Sequence, residues 1–135
     1  MITFNQLKRN LRKDTAGLKP VKLAILADSA TQLLRQAIAG YGVEAGICFD
    51  VYEADYNQVN NEVFNRQSEL YAFEPAFVLV NLSSERLLKN FYRLDRSKRA
   101  QFAQVQADYI DSLYQTITAV ANGRVIINFH QLIQG

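Results

Sequence analysis

Four short strand-like runs recur along the chain, and the segments between them carry the 3.6-residue period of helices. This alternation constrains the fold more than any other feature. Residues 21–26 form the first run, apolar without strict alternation, as in a strand covered on both faces. Residues 49–53 form the second, residues 76–82 (AFVLVNL) the clearest, and residues 124–129 the fourth. Ahead of the first run, Phe4, Leu7 and Leu11 fall at i, i+3, i+7, with Lys8, Arg9, Arg12 and Lys13 turned outward, so the chain opens on an amphipathic helix ended by Gly17 and Pro20. Residues 30–39 read as a helix stopped by Gly40 and Gly42. Residues 56–73 read as a short helix plus loop. Residues 84–92 form a helix with Leu87, Leu88 and Phe91 inward. Residues 97–122 form one long helix, ended by Gly123, with Phe102, Val105, Tyr109, Leu113, Ile117 and Val120 on one stripe.

The order α-β-α-β-α-β-α-β requires parallel strands with helices on both faces. The expected fold is a doubly wound α/β sheet of at least four strands in three α/β/α layers, of Rossmann or flavodoxin type. At 135 residues it is a single domain with room for a real core.

Composition excludes several classes. Half the residues are hydrophobic and 21% are charged, as in a soluble globular protein. The opening MITFNQLKRN is too polar for a signal peptide, and no apolar run approaches membrane-spanning length. The lone Cys48 reads as a small buried hydrophobe, and no Cys/His cluster has metal-ligand spacing. A cytoplasmic protein without a metal or other cofactor in this domain is expected. Charge is segregated. Residues 1–43 carry seven Lys/Arg against two acids, residues 44–74 seven acids against Arg66, and residues 75–135 seven basic residues against four acids. That pattern argues against a nucleic-acid footprint of uniform sign.

In doubly wound sheets, ligands bind beyond the carboxyl ends of the strands. Those ends bring Asp28, Ser29 and Thr31 after the first strand, Asp55 and Asn57 after the second, Ser83 after the third, and Asn128 and His130 at the fourth. The turn ADSATQ has neither G-x-G-x-x-G nor a Walker lysine, which excludes dinucleotide and nucleoside-triphosphate binding of the usual kind. Asp28 or Ser29 suits a helix N-cap. Alternatively, Ser29 Oγ stands where a helix N-terminus favours an oxyanion.

The stretch LAILADSATQLL resembles the Gly-Asp-Ser block of SGNH, or GDSL-type, hydrolases, with Ala27 in place of the glycine. Together with NLRKDTAGLKPVKLAILADSATQLL, the segments VYEADYNQV and SELYAFEPAFVLV are similar to the N-terminal SGNH-like domain of FkbH-like proteins. The resemblance runs over residues 4–128. It implies an SGNH-hydrolase-like fold joined to a haloacid-dehalogenase (HAD) subfamily IIIC phosphatase-like domain, with Mg only in that second domain. It also implies a role in activating glyceryl units from a phosphoglycerate for transfer to an acyl carrier protein. Ser29 matches the hydrolase nucleophile. The other blocks depart: the loop after strand two is Asp55-Tyr56-Asn57-Gln58 without a glycine, VNLSSER has Asn81 out of register, and Ile127 stands three before His130 where Asp-x-x-His would need an acid.

A serine without a carboxylate-held histidine lacks the base that activates it. The expectation is therefore an accessory module that binds a substrate or carrier for a catalytic domain in cis. The competing expectation is an ester hydrolase or acyltransferase with Ser29 as nucleophile and His130 as base, and a weaker one is a dimerisation scaffold. Asp28, Thr31, Asp55, Asn57, Ser83 and Asn128 are the candidate substrate-binding residues. Asp28, Ser29, Asp55, Asn57, Ser83 and Asn128 are expected to share one cleft. The HAD Asp-x-Asp-x-Thr/Val motif is not in these residues, and the sequence stops at FHQLIQG soon after a strand, so a fragment of a longer protein is expected. The basic run of Arg86, Lys89, Arg93, Arg96, Lys98 and Arg99 is expected to be a solvated face or a dock for an acidic carrier.

Overall fold

The computed structural model describes residues 1–130, with His130 described by its backbone alone. Its elements run α1 (Phe4–Asn10), β1 (Lys19–Ala27), α2 (Gln32–Glu44), β2 (Ile47–Glu53), α3 (Val59–Val63), α4 (Glu69–Ala72), β3 (Phe77–Ser83), α5 (Ser84–Arg93), α6 (Arg96–Arg99), α7 (Phe102–Val120) and β4 (Arg124–His130). The four strands form one parallel sheet in the order β2-β1-β3-β4, the doubly wound arrangement expected. From β1 the chain crosses one way to reach β2 and then back across to β3. The order therefore reverses between β1 and β3.

Alternation along the strands separates two layers. Ala24 and Leu26 of β1 and Val78 and Val80 of β3 pack with Val59, Val63, Leu70, Leu113 and Ile117 in the main core, under α3, α4 and α7. Leu23, Ile25 and Ala27 are buried on the opposite face, where α2 packs on β2 and α1 packs on α2. Each fully buried Leu or Ile of this kind stabilises the fold by roughly 1.5–3 kcal/mol relative to exposure.

Four local expectations are corrected. Helix α2 runs through Gly40 and Gly42 instead of stopping there. A Cβ on Gly40 would lie 2.6 Å from the Leu7 carbonyl oxygen, and one on Gly42 2.7 Å from the Phe49 ring. Here glycine serves close approach of α1 and β2, not termination. Asn10 seals the first contact: its buried amide donates to the Gly40 carbonyl (3.1 Å) and to Glu44 Oε1 (2.7 Å). Secondly, Pro20 lies inside β1. It pairs only toward β2, because pairing to β3 begins at Leu23, so its missing N–H breaks no ladder there.

Thirdly, the long helix is broken into α6 and α7 around residues 100–101. The Arg99 guanidinium donates to the Leu94 and Tyr92 carbonyls and stacks on Phe91 and Tyr92, while Phe102 meets Phe91 edge-on at 5.3 Å. These contacts hold a corner that helical period cannot foresee. Fourthly, the apolar stripes are only partly inward: Leu113 and Ile117 are fully buried, whereas Val105 and Leu88 are more than half exposed, and Phe4 and Leu11 are exposed beside buried Leu7. Residues 56–73 resolve into α3 and α4, and Cys48 is a half-buried residue within β2.

Candidate functional site at the carboxyl edge

The reversal point between β1 and β3 is bridged by one hydrogen bond: the Ser83 N–H donates to Asp28 Oδ1 at 2.9 Å. Asp28 is therefore spent on joining two strand ends and does not cap α2. The N-cap of α2 is Thr31, whose side chain makes no capping bond. Ser83, by contrast, caps α5, its Oγ accepting from the Arg86 N–H. The loop after β2 folds over the same edge, with the Asn57 N–H donating to the Ala27 carbonyl (3.2 Å). Asn57 takes a left-handed backbone, φ 61°, which asparagine tolerates better than most residues.

Beside this bridge lies a cleft of about 320 Å³. Leu82, Val59, Ile110 and Phe129 give it apolar walls, and Asp28, Asn57, Asn60, Arg86, Asn90 and Tyr109 bring polar groups. Its size falls in the range of small-molecule sites, and its mix of apolar wall and few convergent polar groups is the usual make-up of one. Arg86 is held on both sides by neutral groups. It donates to Asn57 Oδ1 at 3.0 Å and to the Tyr56 hydroxyl, and its guanidinium lies 5.2 Å from the Tyr56 ring centre. Among the described residues the ion pair is Lys89–Glu85, and Arg86 is not in direct ion-pair contact with a carboxylate, although Asp28 lines the same cleft. Arg86 also lies in the first turn of α5, whose dipole adds to its positive potential.

Tyr109, from α7, donates to Asn60 Oδ1 across the cleft. Burial raises its pKa above the ordinary tyrosine value, and the negative charge of Asp28 raises it further. It therefore stays a neutral phenol at physiological pH. The cleft as built can bind and orient a small polar anion: Arg86 takes its charge, and the amides and phenol take its hydroxyls.

The proposed site residues separate. Asp28, Asn57 and Ser83 line the cleft together. Ser29 follows β1 at the same edge, half-buried, but does not line the cleft. Thr31 is buried at the start of α2, and Asp55 is exposed in the loop. Asn128 lies level with Asn81 in the sheet and donates to its Oδ1 (3.0 Å), while its neighbours Ile127 and Phe129 face the core and the cleft. Asn128 thus belongs to the other face, and the single shared cleft expected of all six residues is reduced to three. The side chain of His130 lies outside the described residues. Its backbone pairs in register with Ser83. Among the described residues no group of three or more His, Cys, Asp or Glu could hold a metal ion, and no helix is long and apolar enough to cross a membrane.

From sequence alone Arg86 belongs to a basic run and Tyr109 to an apolar stripe, so neither is marked there as a ligand-binding residue. Ser83-x-x-Arg86, an N-cap with a cation at the third helical position directly after a strand, was the signal available.

A doubly wound parallel sheet with a polar cleft at its reversal point defines a three-layer α/β domain. The chain belongs to the FkbH N-terminal domain family, whose model matches residues 22–133. It is similar to the crystal structure of the N-terminal part of a Bacteroides fragilis protein that contains a phosphatase domain and is complexed with Mg. The two are 32% identical with a TM-score of 0.87, over 99% of this chain and 35% of that one. The chain therefore spans about a third of that relative. No curated protein sequence matches.

Proposed function

We propose that this domain is an accessory holding module, SGNH-like in origin, which binds a small polar anion and presents it to a phosphatase domain carried further along the same chain. The observation that carries the reading is Arg86, oriented into the cleft by Asn57 and Tyr56 and left uncompensated by any described ion pair. The family supplies the rest. Its members are implicated in activating a glyceryl unit from a phosphoglycerate for transfer to an acyl carrier protein. Such a unit brings the charge and hydroxyls that the cleft can take. By family resemblance, any Mg chemistry is assigned to the phosphatase domain. The lone cysteine fits a cytoplasmic setting.

The competing reading makes Ser29 the nucleophile of an SGNH/GDSL-type hydrolase or acyltransferase, in keeping with its place directly after β1. A fluorophosphonate probe separates the two. We expect no labelling of Ser29 and p-nitrophenyl acetate turnover near the buffer rate. Labelling that disappears in Ser29→Ala would reverse the assignment.

The carrier itself is proposed to dock on the surface of α5 and α6. Arg99 is consumed by the corner at Leu94, Arg86 by the cleft, and Lys89 by Glu85, which leaves Arg93, Arg96 and Lys98 exposed. Exposed charges act over a screening length of about 8 Å at physiological salt, so they chiefly set association rate. Carrier affinity should fall severalfold between low and high salt, and again when Arg93, Arg96 and Lys98 are changed to Glu. Affinity unmoved by both would place the carrier on the other domain.

A further inference from the structure

Two residues of the carboxyl-edge cleft, Asn90 and Gln106, also line a second hollow of about 400 Å³. On α5, Arg86, Asn90 and the C-cap Leu94 follow one another at i, i+4 and i+8. On α7, Phe102, Gln106 and Ile110 repeat that spacing. Two helix stripes therefore form one trough. It runs from Arg86 and Ile110 in the cleft to Leu94 and Phe102 at the corner, about 12 Å along α5 at the helical rise per residue. Phe102 against Phe91, ring centres 5.3 Å apart, ties the helices together at that outer end.

The outer half of the trough is apolar, walled by Leu94, Phe102 and Val105, and Val105 is more than half exposed. Among the described residues the side chains of Asn90, Gln101 and Gln106 make no hydrogen bond. Lys98, which lines the same end, makes no ion pair among them. An occupant that meets all of these groups is linear, has amides spaced by short apolar links, and ends in an anion. A plain alkyl chain leaves the amides unmet, and a compact ligand does not span from the corner to the cleft. The arm on which a carrier protein bears its load has the required composition: a phosphate, a chain of amides and methylenes, and a terminal thiol.

We propose that this trough receives the phosphopantetheine arm of the carrier. Its phosphate meets Lys98, its amides meet Gln101, Gln106 and Asn90, and its thiol end opens on the ligand held at Arg86. The thiol is neutral, so it does not compete with an anion for the guanidinium. The inference rests on the holding function proposed above and joins two surfaces assigned there separately, since Lys98 belongs to the carrier dock and Asn90 to the cleft.

The test titrates phosphopantetheine, pantetheine and inorganic phosphate into the intact protein carrying ¹⁵N-labelled asparagine and glutamine. The Asn90, Gln101 and Gln106 side-chain amides are the reporters. We expect saturable shifts at all of them with phosphopantetheine and none with inorganic phosphate. Pantetheine should bind roughly two- to fivefold more weakly, because it lacks the exposed contact to Lys98. Lys98→Ala should bring phosphopantetheine down to the level of pantetheine. Val105→Asp, at an exposed position, sets a carboxylate in the apolar wall and should weaken both arms roughly tenfold or more. Phosphoglycerate titrated into the parent protein reports on the cleft separately. If it binds while phosphopantetheine gives no saturable shift, the trough proposal falls and the cleft reading stands; if neither binds, both fall. Phosphopantetheine binding that survives Val105→Asp, or inorganic phosphate shifting the same amides, also overturns the proposal.

Discussion

Replacing Gly40 by alanine should destabilise the protein by about 1–3 kcal/mol, although alanine is the better helix former. Propensity alone gives the opposite sign, a gain of roughly 1 kcal/mol for Gly→Ala in a helix interior. The clash decides. The added methyl would sit 2.6 Å from the Leu7 carbonyl oxygen and 2.7 Å from its Cβ, and backbone in contact with a helix cannot step aside as a side-chain tip does. Relief requires α1 to lift off α2, which also strains the buried Asn10 bonds to Gly40 and Glu44. Thermal unfolding should drop by several degrees. Gly17→Ala is the control: nothing lies within 4 Å of its added methyl, so the melting point should hold or rise slightly. A Gly40→Ala protein as stable as the parent would show that the α1–α2 contact is looser than described.

Removing Arg86 should have the largest effect on binding. A charged hydrogen bond contributes about 1.5–3 kcal/mol, so Arg86→Ala should weaken a phosphoglycerate roughly 10–100-fold in calorimetry on the intact protein. Tyr56→Phe tests orientation separately from charge. It removes one of the two groups that aim the guanidinium, and should cost less than Arg86→Ala while leaving the fold intact, since Tyr56 is exposed. Because burial and the Asp28 charge hold Tyr109 above its ordinary pKa, it stays neutral and binding should change little between pH 6 and 8 except as the ligand itself titrates. Equal affinity in wild type and Arg86→Ala would remove the cleft from consideration.

Much of this architecture was legible because period and polarity are local properties. The strands at 76–82 and 124–129, the parallel order and the carboxyl edge all follow from alternating apolar segments and the handedness of crossovers. The structure adds a capping box at α1: Thr3 Oγ1 accepts from the Gln6 N–H at 3.2 Å, and Gln6 Oε1 accepts from the Thr3 N–H at 2.7 Å. What escaped was set by partners distant in sequence. Gly40 is a contact with Leu7, not a stop, and the corner at residues 100–101 depends on Arg99 reaching back to Tyr92 and Leu94.

The candidate site was legible in part for the same reason. Asp28, Asn57 and Ser83 could be placed at one edge from strand ends alone, since parallel strands finish together. Which face each side chain takes beyond that edge depends on residue parity, and parity sends Asn128 away from the cleft while it brings Phe129 in. Arg86 gains its meaning only from Asn57 and Tyr56, some thirty positions earlier. No period in the sequence marks such a contact.

The central claim is that this domain holds a ligand and does not cleave one. Turnover of the intact protein, followed as the proposed loading of an acyl carrier protein from a phosphoglycerate, tests it most directly when Ser29→Ala and Arg86→Ala are measured side by side. The expected result is near-parental loading by Ser29→Ala and a KM raised roughly 10–100-fold by Arg86→Ala, in line with its lost charged bond. Loading abolished by Ser29→Ala and untouched by Arg86→Ala would contradict the claim and make Ser29 the nucleophile.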